Sequence, residues 1–229
     1  MRGAAGSTSR SLGLMGMGDR HDRRGRWVET DEAEDVAGSV RHVLRCWPLA
    51  AKDPQAFKWA ALALHAALQG ACVCHLTTTT TPVGAVTDRN AGEWLAYFER
   101  SRTDPEAKPP ETYLMTLPDL LKTIRKPDTI GGGAPGPGVP IADGELNWLL
   151  RFHDGLRNQF IHFSPQGWSI EISGLPGLAE LTARIITAVL DAGWGFRQKN
   201  QAWNEALRAD LKALAILATA SESLSAIWN

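Results

Sequence analysis

The stretch "WAALALHAALQGACVC", residues 59–74, is the most apolar part of the sequence and constrains the fold more than any other. Its sixteen residues are interrupted by His65 and Gln69, so it is shorter than the roughly 20 apolar residues that a membrane span requires. A helix that is apolar on every side is stable in water only when other helices cover it. We therefore predict a buried core helix.

Ordinary start and stop signals mark the ends of this helix. Asp53 followed by Pro54 is a cap and first-turn pair. The threonine run at 77–81 is a poor continuation, because β-branched residues disfavour helix. The predicted helix covers residues 54–76, and Lys58 is its only charged residue.

Helical spacing also marks the segment before the core helix. Its apolar residues recur at intervals of three and four, at Val36, Val40, Val43 and Trp47. Thr30 is the predicted N-cap, with acidic Asp31 and Glu32 in the first turn. Pro48 ends this first helix.

The spacing of apolar residues is less regular over residues 77–142, which form a predicted irregular insertion. Two short helices are predicted inside it, each introduced by a pair that resembles a capping box: Asn90 with Glu93, and Thr116 with Asp119. The tract "DTIGGGAPGPGVPIAD", residues 128–143, is too rich in glycine and proline for regular structure. It either separates two domains or forms a long surface loop.

The remainder of the chain is mainly helical. Asp143 is the predicted N-cap of the next helix, and the alternating sequence "GWSIEIS" predicts a short extended segment near residues 168–172. Two further helices follow, over about 177–192 and about 200–226. The predicted fold class is all-α, an up-and-down helical bundle.

Composition and charge narrow the classes of function. The chain has 229 residues, of which 44% are hydrophobic, so it can bury the core of a soluble protein. With 24 basic and 25 acidic residues its net charge is −1, so no overall field recruits nucleic acid or an anionic membrane. Three cysteines are too few for a disulfide framework, which predicts a reducing compartment and therefore a cytoplasmic protein.

The first 26 residues differ from the rest in composition. They contain six arginines and many small residues but no apolar stretch of the kind that a secretory signal needs. We predict a disordered tail over 1–26, followed by a single helical domain over 27–229 with the insertion at about 77–142.

The stretch "LRNQFIHF", residues 156–163, places polar side chains in an otherwise apolar helix. On a regular α-helix, residues four apart are neighbours. Two such groups follow: the line Asp154, Asn158 and His162, and the pair His153 and Arg157. One reading is a satisfied network in which Asp154 pairs with Arg157 and Asn158 bonds to the histidine. The other is a functional site that contains a fixed cation and a group that titrates near neutral pH.

Arg157 and His162 are five residues apart, which places them about 140° from each other around a regular helix. One helix cannot easily aim both side chains at one atom. They could act together if the long Arg157 side chain wraps round the helix, or if the helix begins or bends there. A second copy of the helix across a two-fold axis would also supply the complement, and a homodimer is therefore expected for a functional site.

The motif "RNQFIH", an arginine, an adjacent asparagine and a histidine after four intervening residues, resembles the signature of the HEPN superfamily. The resemblance covers residues 54–76 and 143–226. It implies a small HEPN-like helical bundle, and many members of the superfamily are metal-independent endoribonucleases. The implied site is a cleft shared by two protomers, lined by Arg157 and His162 with Asn158 as the third member.

The resemblance also implies a mechanism that suits these residue types. RNA carries its own nucleophile, the 2′-hydroxyl, so neither a metal nor another cofactor is implied. His162 would move a proton as general base or acid, and Arg157 would stabilise negative charge on the phosphorus oxygens. Asn158 would orient the histidine or a phosphate oxygen. The implied products carry a 2′,3′-cyclic phosphate and a 5′-hydroxyl.

RNA is the implied partner, and a toxin or defence role would add an antitoxin or regulatory protein. Some HEPN toxins carry a tyrosine two residues past the histidine that a partner nucleotidyltransferase modifies. This chain has Ser164 there, so that form of control is not expected. The alternatives are a non-catalytic HEPN-like module that binds RNA, a nucleotide or a protein partner, and a scaffold in which the cluster is structural.

Several other polar residues have candidate supporting roles. Asp154 and His153 flank the motif, while His65 and Gln69 share one face of the core helix. If that face meets Arg157, the two residues complete the site, and otherwise His65 is a hydrogen-bonded core histidine. No metal site is predicted, because the spacing of the Cys-x-Cys-His sequence at 72–75 is not that of a structural zinc site.

Overall fold

The computed structural model describes residues 28–79, 81–161, 167 and 169–225, with side chains as far as residue 219. In chain order the helices are α1 Glu32–Cys46, α2 Ala56–Leu76, α3 Asp88–Ser101, α4 Leu117–Ile124, α5 Asp143–Arg151, α6 Asn158–Ile161, α7 Leu175–Asp191 and α8 Gln201–Ser225. A π-helical turn, Phe152–Arg157, joins α5 to α6. The described residues contain no β-strand, so the all-α prediction is confirmed.

The apolar stretch forms the core helix, α2. It contacts α1, α4, α7 and the π-helical turn, and α8 packs against α1 and α7. Leu64 and Leu68 on α2 are fully buried. By length and composition α2 is able to cross a membrane, but 72% of its most apolar window is buried among other parts of the chain, which is the environment of a core helix.

Two predicted helix starts are displaced by one or two residues. Asp31, not Thr30, caps α1, because its carboxylate accepts a hydrogen bond from the Glu34 N–H at 2.9 Å. α2 begins two residues later than predicted, because Asp53 closes a preceding turn by accepting from the Gln55 N–H at 3.0 Å. Both helices end where their sequences predict.

Asn90 was predicted to cap α3, but it instead anchors this helix to the segment before α4. Thr87 is the cap of α3. The Asn90 side chain is buried, donates to the Glu111 carbonyl at 2.8 Å and accepts from the Tyr113 N–H at 2.8 Å. This side chain therefore holds the insertion in a defined conformation.

The glycine- and proline-rich tract at 128–143 folds back against the end of α2. The Gly131 N–H donates to the His75 carbonyl at 2.8 Å, and the Trp194 ring lies where a side chain on Gly131 would begin. Gly131 has a φ of +58°, which glycine adopts without strain. These contacts favour the surface-loop reading of the tract.

The C-terminal half agrees with its predicted helices apart from details at their starts. Asp143 is the first residue of α5 rather than its cap, and it pairs with Arg125 at 2.6 Å. Gly193 follows α7 with a φ of +72°, as a C-terminal glycine does. Residues 169–172 form no strand, while residue 168 and the predicted tail at 1–26 lie outside the described residues.

Replacing two glycines by alanine should have opposite effects on stability. A Cβ on Gly84 would meet the backbone carbonyl of Leu76 at the end of α2, so Gly84→Ala should cost about 2 kcal/mol. Gly92 lies inside α3 with open space beside it, so Gly92→Ala should stabilise by about 0.5–1 kcal/mol. Urea unfolding followed by circular dichroism measures both. A stabilising Gly84→Ala would contradict the close approach.

Candidate functional site

The motif segment does not form a regular α-helix. Residues Phe152–Arg157 form a π-helical turn, in which the Asn158 N–H donates to the His153 carbonyl five residues earlier. Such turns contain an extra residue and occur frequently at functional sites. The predicted line of residues at intervals of four assumed α-helical geometry, and it is interrupted at this turn.

Arg157 and Asn158 contact each other at the end of the π-helical turn. The Arg157 guanidinium donates to the Asn158 Oδ1 at 2.8 Å, and both side chains are half-buried. Asp154 is exposed, and it forms no ion pair with Arg157 among the residues that the structure describes. The predicted pairing of Asp154 with Arg157 is therefore wrong.

Arg157 borders a groove of about 1120 Å³. One wall is the face of α2 that carries His65 and Gln69, so two of the four predicted supporting residues border the same groove as the arginine. The start of α1, the threonines after α2, part of α3 and residues 195–199 form the other walls. The tertiary structure thus brings together residues from six separate segments of the chain.

His65 and His153 are hydrogen bonded to each other. His65 Nε2 lies 2.8 Å from His153 Nδ1, and the two rings stack with centroids 5.1 Å apart. His65 is 4% exposed and His153 is half-buried. The residues are 88 positions apart in the chain, and no local sequence signal predicts the contact.

Both histidines are neutral near pH 7. Burial is the largest of the causes that lower the pKa of His65 from 6.5 to about 3, and the charges of Arg157 and His153 contribute in the same direction. Burial is also the main reason that the pKa of His153 is lowered, although the nearby Asp154 opposes this shift. The pair therefore adds hydrogen-bonding capacity to the groove without adding charge.

The other cations along the groove have structural partners. Lys199 pairs with Asp31 at 2.9 Å and with Glu34 at 2.7 Å. Arg197 donates to the Thr78 carbonyl at 3.1 Å and lies over the Trp194 ring. Within the described part of the chain Arg157 has no carboxylate partner, so its charge is available to a ligand.

The histidine of the motif, His162, lies outside the described residues, as does Ser164. Among the residues that are described, no group of three or more His, Cys, Asp or Glu side chains is arranged to hold a metal ion. Comparison with protein-family models, curated proteins and solved structures finds no match. A function must therefore be inferred from the side chains of the groove.

Lowering the pH should destabilise the protein through His65. Its pKa is about 3 in the folded protein against an ordinary 6.5, so between these values the unfolded state binds more protons. The free energy of unfolding should fall as the pH drops through this range, by up to about 1.4 kcal/mol per pH unit for one group. His65→Gln should therefore show a weaker pH dependence than the wild type.

Urea unfolding at about pH 7 and about pH 5 measures this difference. His42→Gln is the matched control, because His42 makes its hydrogen bonds within α1, to Arg45 and Cys46. This variant should keep the wild-type pH dependence. Equal dependence in wild type and His65→Gln would show that the His65 pKa is not lowered.

Proposed function

We propose that this chain is a metal-independent endoribonuclease of the HEPN type, with Arg157, Asn158 and His162 as its catalytic group. The observation that carries the proposal is the position of Arg157, which borders the groove and is hydrogen bonded to Asn158 at 2.8 Å. A planar, permanently charged guanidinium beside an open groove is suited to a phosphate oxygen. The adjacent neutral histidines leave that charge uncompensated.

The proposed reaction uses the 2′-hydroxyl of RNA as the nucleophile. Arg157 stabilises the extra negative charge that develops on the phosphorus oxygens during attack. His162 moves a proton, for which the ordinary histidine pKa of about 6.5 is suitable. Asn158 holds the guanidinium in place through its side-chain oxygen. DNA lacks the nucleophile and should not be cleaved.

A HEPN-like arrangement of the helices is part of the proposal. The two segments that carry the resemblance, residues 54–76 and 143–226, are in contact, because α2 packs against the π-helical turn and α7. The hydrogen bond between His65 and His153 joins the same two segments. A cytoplasmic toxin or defence effector, controlled by an antitoxin, is the biological role that we propose for such an enzyme.

The contacts of Arg157 favour a role in function over a role in folding. Its hydrogen bond to Asn158 joins neighbouring residues in sequence and ties no separate elements together. Removing one partner of a buried ion pair typically costs about 3–5 kcal/mol, whereas a half-buried local contact of this kind should contribute about 1 kcal/mol. Arg157→Ala should therefore remain folded.

Cleavage of a mixed single-stranded RNA pool in the presence of EDTA tests the proposal. Wild-type protein should leave 2′,3′-cyclic phosphate and 5′-hydroxyl ends, and Arg157→Ala and His162→Ala should each lose at least about 100-fold in rate. Mapping the new ends identifies the chemistry.

Arg151→Ala is the control, because Arg151 is an exposed arginine on α5, immediately before the π-helical turn. It should retain the wild-type rate. Cleavage at the wild-type rate in both Arg157→Ala and His162→Ala would contradict the assignment of the site.

A homodimer is a second part of the proposal, since the motif arginine and histidine of two protomers would line one cleft. Sedimentation velocity should therefore give a dimer, and the specific activity should fall on dilution as dimers dissociate. A monomer with full specific activity at all concentrations would contradict the composite site.

A non-catalytic module that binds a protein partner is the alternative, and one observation favours it. Asp31, Glu32 and Asp35 at the start of α1 border the same groove. This acidic end would repel the RNA backbone and attract a basic peptide segment. A folded protein that fails to cleave the RNA pool but retains a basic peptide in the groove would support this alternative.

A further inference from the structure

We propose that His65 is a second proton-transfer residue of the groove and that His153 is a positioning residue which relays the proton of His65 to solvent. This proposal rests on the ribonuclease function proposed above. Its geometric basis is the 2.8 Å contact between His65 Nε2 and His153 Nδ1. His65 borders the groove together with Arg157, whereas His153 lies on the π-helical turn and is half-buried.

The contact fixes the protonation of both rings together. A neutral imidazole has one N–H donor and one nitrogen acceptor, so a single proton lies between His65 Nε2 and His153 Nδ1. When His65 provides this proton, its Nδ1 is an acceptor and the Nε2 of His153 carries a hydrogen. Among the described residues His65 Nδ1 has no hydrogen-bond partner, and in the proposal it accepts from a hydroxyl group in the groove that His65 borders.

A relay is needed because His65 is a poor base by itself. Burial and the charge of Arg157 disfavour an imidazolium ion at this position. A relay avoids this ion, because His65 releases one proton as it accepts another and stays neutral throughout. The pair therefore allows proton removal beside a fixed positive charge.

The surrounding charges give the relay a direction. Arg157 acts on both rings, but the carboxylates of Asp154 and Asp119 act on His153 and favour its protonated form. A proton is consequently more stable on His153 than on His65. The proton therefore moves from His65, which borders the groove, to His153.

The O–H bond of the RNA 2′-hydroxyl breaks as His65 Nδ1 gains a hydrogen, and His65 Nε2 gives its hydrogen to His153 Nδ1. His153 Nε2 then releases its hydrogen to water. The 2′-oxygen attacks phosphorus, the bond to the 5′-oxygen breaks, and this oxygen takes a proton from His162. Two separate proton-transfer groups thus serve the nucleophile and the leaving group.

The rate of cleavage of a labelled single-stranded RNA in mixtures of H2O and D2O tests the relay. His65→Gln and His153→Gln should each lower kcat by about 100-fold or more with KM near the wild-type value, whereas the His42→Gln control should match the wild type. The wild-type rate should depend on the D2O fraction along a curve, because several protons move together. In His153→Gln the curvature should decrease, because the transfers through His153 are removed.

Nitrogen-15 NMR of the wild-type imidazole rings tests the pair without any substitution. Near pH 7 both rings should be neutral and should carry their hydrogens on Nε2, because the relay needs His65 Nδ1 as an acceptor and His65 Nε2 as the donor to His153 Nδ1. A hydrogen on Nδ1 of either ring, or an imidazolium ion, would overturn the relay even if the variants failed to fold.

The outcomes separate the two proposals. If wild type cleaves RNA and His153→Gln keeps the wild-type kcat and curved dependence, the relay is wrong and the ribonuclease function stands. If folded wild type cleaves no RNA in the pool, both proposals are wrong. Loss of kcat in both variants, together with hydrogens on Nε2 of both rings in the wild type, would establish the relay.

Discussion

The burial of α2 is the constraint on which the rest of this structure depends. A helix of 21 residues with Lys58 as its one charge must be covered, and α1, α4, α7 and the π-helical turn cover it. The groove lies where this cover stops, along the face that carries His65 and Gln69. The same packing requirement that builds the core therefore also sets the position of the candidate site.

Polar side chains buried beside α2 need hydrogen-bond partners, and the two histidines provide them for each other. One hydrogen bond between His65 and His153 satisfies a nitrogen on each ring, and desolvation keeps both rings uncharged. A charged histidine there would repel Arg157. The neutral pair thus allows a guanidinium, two imidazoles and an apolar helix to share one small region.

Cations of the groove are used in different ways, and this difference supports the functional interpretation of Arg157. Lys199 joins the start of α1 to the segment before α8 through its two carboxylate partners, and Arg197 holds the threonine segment after α2. The charge of Lys199 and the hydrogen-bond donors of Arg197 therefore stabilise the fold. Among the described residues Arg157 is hydrogen bonded to a neighbouring amide and to no carboxylate, so its charge remains available for an anionic ligand such as a phosphodiester.

The sequence by itself determined the all-α class, the core helix and most helix ends, because helical periodicity and terminating residues act over a few positions. It also singled out Arg157, Asn158, His65 and Gln69 as polar exceptions. Its assumption of a regular helix failed at Phe152–Arg157, since a π-helical turn leaves no clear local signal. Only the tertiary structure decided that His65 meets His153 across 88 residues, because packing around α2 rather than sequence spacing brings the two rings together.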